Sequence, residues 1–484
     1  MKKIVYFVRV MSLLALLVGI QSQPALAQEE VVCDSDVVVQ ADDWLSKIAD
    51  KFYGNVLAFP AIAEATNAKA TADDSYATIE DVNVIEPGWK LCIPSADAAQ
   101  AMLGEAAAEA VAAQENVTYE IPTVEEGQYN VAFVYVGPHN DGGWSQAHDV
   151  GRLYVEENGD NVHTAYVENV AEGADAEQVI RSLARKGFDV IFTTSFGFMD
   201  ASEIVAEEFP DVDIIHVSGF KSNGANFGNL FGAMEDIKYL AGILAGSRAK
   251  VDDNPKIGYI ATFPIPEELR LGNAFALGVQ RTCPDCTVDV RWIFTWHDPI
   301  IEREAAASLF DSGVQVVMTG ADTPAPAEAA PQGKWGITYD YSNNCTVPTC
   351  LTSMYWNWGP VYARIVAESQ AGTWVGGSEY FDADTGALGL FGFMEGQTPQ
   401  PGVKDLPEED LALIRDTLDQ MLNGEFTRFD VFSGPITDNQ GNVVLAEGEQ
   451  LEQADLDGFS QFGSPCQTCM YWWNENITAE LPEL

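Results

Sequence analysis

The sequence predicts an α/β protein with two doubly wound lobes, preceded by a small βααβ module. Three observations carry this prediction. From Tyr129 onward, short apolar runs alternate with helical patterns, the order that builds parallel sheets with helices on both faces. That alternation continues through most of a 484-residue chain, too far for one such sheet, so two lobes are expected. Upstream, residues 33–94 form a compact stretch with a cysteine near each end, Cys33 and Cys92.

Residues 1–27 read as a secretory signal peptide. Lys2 and Lys3 precede a mostly apolar run from Val8 to Ile20, and Ala25-Leu26-Ala27 forms a small-x-small cleavage site before Gln28. The first cysteine, Cys33, lies beyond the place where a lipid anchor is expected. No later run reaches the roughly 18 apolar residues of a membrane span.

In the 33–94 module, an alternating strand through Val37-Val38-Val39 leads to Asp42 and Asp43, both suited to cap a helix. Leu45, Ile48, Ala49 and Phe52 then recur at helical spacing, and Ile85 to Pro94 reads as a turn and a closing strand. Residues 95–128 are rich in Ala and Glu and read as a linker. The large region, 129–480, has strand signals at 130–136, 162–167, 190–194, 214–217, 256–260, 287–294, 314–319 and 335–338. Helical patterns at 147–157, 176–186, 199–209, 237–249, 267–280 and 299–312 fall between them.

Charge is one-sided, with 73 acidic against 25 basic residues and a net of −48. Such a surface excludes nucleic acid, whose binding needs clustered Lys and Arg. It fits solubility in a salty or acidic setting. The eight cysteines fall into natural pairs: Cys33 with Cys92, Cys283 with Cys286, Cys345 with Cys350, and Cys466 with Cys469. Two C-x-x-C motifs could together hold a zinc ion, but an exported chain favours disulfides. The five histidines have no metal-ligand spacing. The chain has no G-x-S-x-G or H-E-x-x-H motif and no P-loop.

Ligands of open α/β sheets bind at the carboxyl ends of the strands. The segment His139 to Gly151 directly follows the first strand of the large region. Its Asp141-Gly142-Gly143-Trp144-Ser145 core places glycines, an aromatic face and a helix-capping serine at that end. Trp144 alone reads equally well as a core residue.

Two resemblances add to this reading. The 33–94 module resembles LysM in its strand, its Asp43-Trp44-Leu45-Ser46-Lys47-Ile48-Ala49 helix start, Phe52-Tyr53-Gly54, Asn67, and the Pro87-Gly88 to Pro94 ending. Trp44 replaces the usual Thr, and the stretch 68–84 is long. The resemblance implies binding of N-acetylglucosamine glycans such as peptidoglycan, near Asp43, Trp44, Glu86 and Pro87.

The large region resembles the basic membrane protein family of ABC-importer substrate-binding proteins. The likeness runs through the His139-to-Gly151 segment, Thr193 to Ala201, Asn226 to Asn229, Leu240 to Gly246, Ile257 to Gly278, Trp296 to Pro299, Thr319 to Asp322, Gly336 to Asp340, Leu351 to Ser353, Phe432 to Ile436 and Asp438 to Gly441. It implies a type I periplasmic-binding-protein fold and a purine base or nucleoside held between aromatics, with carboxylates on ring nitrogens or hydroxyls. The matching positions are Trp144 and Ser145 on the first strand end, then Phe196, Phe198 and Asp200, then Phe263, Trp296, Asp298, Asp322, Asp340 and Trp356. Trp356 stands where nucleoside-binding members carry a lysine, so adenine is expected over a nucleoside. Asp322 and Asp340 also read as turn residues or caps, and Trp356 as hinge packing.

The reading implies an exported or cell-wall-associated bacterial receptor with no cofactor, catalytic residue or metal. Its partners are a small purine-like ligand, a membrane permease and a wall glycan, and not nucleic acid. The alternatives are a sugar receptor or signalling receptor of the same fold, and a cell-wall hydrolase built on two opposed carboxylates.

Overall fold

The structure, a computed structural model, describes residues 33–39, 45–53, 59–71, 75–79, 88–95, 98–99, 119–457 and 468–482, with the single positions 73, 85 and 102. The signal-peptide segment 1–27, Asp43, Trp44, Glu86, Pro87 and Cys466 lie outside the described residues.

In the N-terminal unit, β1 (Cys33–Val38) pairs antiparallel with β2 (Lys90–Pro94). Between them in sequence lie α1 (Leu45–Tyr53) and α2 (Phe59–Ala70). Leu45, Ile48, Ile62, Leu91 and Ile93 fill a core of their own. The Asn67 side chain donates to the Ile79 carbonyl at 2.8 Å and accepts from its N–H at 2.7 Å, which pins the long connection to α2. A Cys33–Cys92 disulfide ties β1 to β2.

The first lobe begins with β3 (Tyr129–Tyr135), α3 (Trp144–Asn158), β4 (Val162–Val167), α4 (Ala174–Lys186) and β5 (Val190–Thr194). It continues with α5 (Met199–Glu208), β6 (Asp213–Val217) and β7 (Phe227–Gly232). The second lobe comprises α6 (Met234–Val251), β8 (Lys256–Ala261), α7 (Pro266–Thr282), β9 (Thr287–Trp292), α8 (Pro299–Asp311), β10 (Val316–Thr319), α9 (Ala325–Ala329), β11 (Trp335–Thr338) and β12 (Cys350–Trp356). After α10 (Gly359–Gln370) come β13 (Ser378–Phe381) and β14 (Leu388–Leu390).

The first sheet has the order β13-β7-β6-β5-β3-β4 and is parallel throughout. The second has the order β14-β12-β11-β10-β8-β9, with only β14 antiparallel. The chain therefore passes between the sheets three times: after β7, after β12 and after β13. Central strands such as β5 and β10 are buried along their whole length, as both faces of a parallel sheet are covered.

In the second lobe α6 and α7 cross unusually closely. A Cβ built on Gly242 would strike the Phe275 carbonyl, and one on Gly278 the Tyr239 carbonyl. The C-terminal segment is stitched to this lobe. Asn474 N–H donates to Asn273 at 2.8 Å, and Ile477 bridges to Val288 on β9. Disulfides join Cys283 to Cys286 and Cys345 to Cys350, and Cys469 is also disulfide-bonded.

A strand is missing from the sequence reading and one helix cap differs from it. The strand β7, Phe-Gly-Asn-Leu-Phe-Gly, is not among the strand signals. Its glycines make room for Trp374 and Phe381, both of which a Cβ would meet. Helix α3 starts at Trp144 with Gly143 at its cap position, so Ser145 is inside the helix and not its cap. Asp141 does the capping. Its carboxylate accepts from the N–H groups of Gly143, Ser145 and Gln146 at 2.8–2.9 Å.

Candidate functional site

The carboxyl ends of both sheets face one cleft. It encloses about 410 Å³, including the part open to solvent. The first lobe contributes Val136, Trp144, Ser195, Phe196 and Ser218. The second contributes Glu267, Glu268, Trp296, Gly320, Asp322, Tyr339 and Asp340. Each follows a strand or opens the next helix, where the chain must turn and side chains are free to point across the gap.

Trp144 is fixed from both sides. Its indole N–H donates to the Thr194 carbonyl at 2.7 Å, and its backbone N–H donates to Asp322 at 3.2 Å across the cleft. Its ring stands edge-on to Trp356 and Trp358. These two stack on each other at 4.6 Å, and Trp358 stacks on His148 and Tyr362. Trp356 is buried behind the cleft and donates its indole N–H to Asp340 at 2.8 Å. It therefore supports the site through Asp340. Asp340 itself takes a left-handed backbone, φ 65°, at the turn after β11.

A second contact across the lobes runs from the Ser218 hydroxyl to Glu267 at 2.6 Å. The loop carrying Trp144 presses on the other lobe so closely that a Cβ on Gly143 would lie 2.5 Å from Asp322 backbone atoms.

The cleft is crowded with carboxyls. Burial, and then the charge of Asp141, pushes Asp322 up to about 7, against the pull of His297. Burial likewise pushes Glu267 up to about 7. Asp340 is raised well above the ordinary carboxylate range by burial and by Asp322. Glu172, near Ser195, is raised by burial despite hydrogen bonds from Ser195, the Gly197 N–H and Trp296. His297 is raised by its contact with Asp322. Asp141, His297 and Asp322 each place one ligand atom within 4.8 Å of the others. Both oxygens of Asp141 already serve the α3 cap, so the trio reads as a polar latch between the lobes. Flat aromatic faces with several hydrogen-bond acceptors suit a planar ligand rich in N–H groups.

Of the residues singled out from sequence, Trp144, Phe196, Trp296, Asp322 and Asp340 line the cleft. Phe263 packs on Trp296 with ring centroids 4.7 Å apart. Ser145 is buried and accepts from the Gly137 N–H, holding the loop before α3. Three expectations need correction. Phe198 is in the first-lobe core, because the single 3₁₀ turn 196–198 rotates it away from Phe196. Asp200 is on the surface, paired with Lys221. Asp298 caps α8 by accepting from the N–H groups of Ile300 and Ile301.

Sequence reasoning missed Ser218, Glu267, Glu268, Tyr339 and Lys238. The pair Glu267-Glu268 follows Pro266 at the start of α7, a short loop after β8, and a helix start past a strand end is a cleft position. Lys238 is the one cation within the apolar stretch 237–247 of α6.

Comparison with known proteins places these features. The family model described as ABC transporter substrate-binding protein PnrA-like, Bmp, matches residues 128–411. The chain is 34% identical to the purine-binding protein of Brucella abortus over 69% of this chain and 92% of that one. It is 35% identical to a putative ABC transporter glucose-binding protein of Haloferax volcanii over 65% of this chain and 77% of that one. A solved ABC transporter solute-binding protein from Aeropyrum pernix aligns over 61% of this chain and 92% of that one with a TM-score of 0.53 at 20% identity, a likeness of fold.

Proposed function

The chain belongs to the Bmp family of PnrA-like ABC transporter substrate-binding proteins, and from that premise we propose that it binds a purine, with adenine favoured, between its two lobes. Proteins of this family work outside the cytoplasm and deliver a small molecule to a membrane permease; they are not enzymes. The observation that carries the proposal is the cleft itself, where Trp144 of one lobe faces Asp322, Tyr339 and Asp340 of the other. A purine stacks on an aromatic face and donates N–H groups to carboxylates. Trp356 gives its only donor to Asp340, so it cannot replace an ammonium on a ribose, which favours the free base. Ligand entry draws the lobes together in a hinge closure that hides the base from water.

A sugar is the second reading, supported by the likeness to the glucose-binding relative. Mass spectrometry of small molecules released by denaturing the purified protein separates the two. Stoichiometric adenine supports the proposal, and a hexose in its place overturns it.

We further propose that the N-terminal unit acts as a LysM-like tether on wall glycan, through Asp43, Trp44, Glu86 and Pro87. Its strand–helix–helix–strand order supports this. Co-sedimentation of the full chain with purified peptidoglycan tests it, and a protein that stays wholly in the supernatant overturns it.

A further inference from the structure

Behind the second-lobe wall of the cleft lies a group of buried polar atoms that the site as described does not use. Glu268, at the start of α7, lines the cleft and is only 2% exposed. The Thr262 backbone N–H supports its carboxylate, while its Oε2 has no hydrogen-bond partner among the described residues. That oxygen reaches the cleft floor at Gly320, where a Cβ would lie 2.6 Å from it and 3.1 Å from the Tyr259 hydroxyl. The Tyr259 hydroxyl is likewise unpartnered among the described residues. Lys238 on α6 is fully buried, and its ammonium has no hydrogen-bond partner among the described residues. It sits 3.7 Å from the centre of the Tyr339 ring, which itself lines the cleft.

Buried charged groups without partners are costly, so a protein keeps them where something compensates them. Burial raises the Glu268 carboxyl above its ordinary range, and the Lys238 ammonium opposes that rise, as it does at Asp340. Gly320 is the residue that lets the buried Oε2 lie against the cleft floor, since any side chain there would collide with it.

We propose that Glu268 determines specificity from the second lobe: its free oxygen accepts an N–H or O–H of the ligand, and Lys238, whose ammonium lies 5.8 Å from the centre of the Tyr259 ring and 3.7 Å from that of Tyr339, is a positioning residue behind it. The proposal rests on the cleft being the ligand site. It adds a further acceptor to the second-lobe wall that faces Trp144, so the ligand must present a donor to Glu268 as well as to Asp322 and Asp340. Adenine meets this with its exocyclic amine and its ring N–H, and a hexose meets it with hydroxyls.

The test is calorimetric titration of adenine and of D-glucose into the wild-type full chain, Glu268→Gln, Lys238→Met and the double variant, each checked for folding by thermal unfolding. For whichever probe the wild type binds, Glu268→Gln should weaken binding about 10- to 100-fold, the range for a hydrogen bond to a charged group. Lys238→Met should also weaken it, and the double variant should be no weaker than Glu268→Gln alone, because the lysine acts through the glutamate. If Glu268→Gln does not fold, Glu268→Asp, which withdraws the carboxylate by one methylene, should show the same loss. Binding by the glutamate variant within threefold of wild type overturns the proposal. Fully additive losses in the double variant overturn the positioning role of Lys238. A wild type that binds neither probe defeats the underlying reading of the cleft, and this proposal with it.

Discussion

At Gly143 the two lobes approach so closely that no Cβ fits between them, which makes it a direct test of closure. A methyl group added there would stand 2.5 Å from Cα, Cβ and O of Asp322. Ordinary carbon contacts need about 3.5–4.0 Å, so in Gly143→Ala the lobes must part by about 1 Å at this edge. The atoms it strikes belong to the second-lobe backbone, which cannot swing aside as a flexible side chain would. Overpacking of this kind costs roughly 1–3 kcal/mol. The 3.2 Å bond from Trp144 N–H to Asp322 stretches as well. Gly143 and Asp322 both lie outside the buried hydrophobic core that runs through the two lobes, so the penalty should fall on the closed form and not on folding. Affinity should therefore drop by about 5- to 150-fold at about 1.4 kcal/mol per decade, with the thermal midpoint of the ligand-free protein unchanged. Isothermal titration with the ligand released from the wild-type protein measures the first, and calorimetric unfolding the second. Binding within twofold of wild type would refute the argument, because the bound form would not then need this contact.

Three other outcomes follow from the same structure. Asp322 and Glu267 hold their protons up to about 7 in the fold but release them near pH 4 when unfolded. The folded state thus binds more protons between those values, and stability falls as pH rises through 7. The thermal midpoint should drop between pH 5.5 and 8, and Asp322→Asn should shrink that drop; an equal drop in the variant sinks the assignment. Self-repulsion from a net charge of −48 is screened as the Debye length shrinks from about 10 Å at 0.1 M salt to 3 Å at 1 M. Unfolding midpoints should therefore rise with sodium chloride, and a flat response would show that the charges do not oppose folding. The Cys33–Cys92 disulfide spans 59 residues. Its loss in Cys33→Ser should cost the N-terminal unit about 4 kcal/mol, seen as faster proteolysis within 33–94 and unchanged ligand affinity.

The cleft was legible in the sequence where a residue sits just past a strand. Phe196, Asp322 and Asp340 are such residues, while Trp144, nine residues past β3, stood out through the Gly-Gly-Trp turn that opens α3; the strand alternation is strong because central strands buried on both faces are mostly apolar. Positions a few residues further on were not legible. After β5 the chain makes one 3₁₀ turn, which sends Phe196 to the cleft, Phe198 to the core and Asp200 to the surface within five residues. No spacing rule separates those three. Glu267 and Glu268 were hidden because acids at a helix start fit the helix dipole without any ligand. Lys238 was hidden because long-range contacts, with Tyr339 a hundred residues away in the chain, decide that it is buried. The edge strands β13 and β14 have four and three residues, too few for periodicity to register.

The three passages of the chain between the sheets have a mechanical consequence. The first sheet is completed by β13, which arrives only after the second lobe has been built, so neither lobe corresponds to one continuous piece of sequence. Cutting the backbone at any single passage leaves the halves interlocked through a strand that one fragment lends to the other. Three tethers side by side would resist twisting and sliding more than bending, so the motion expected of the lobes is opening like a book along one spine.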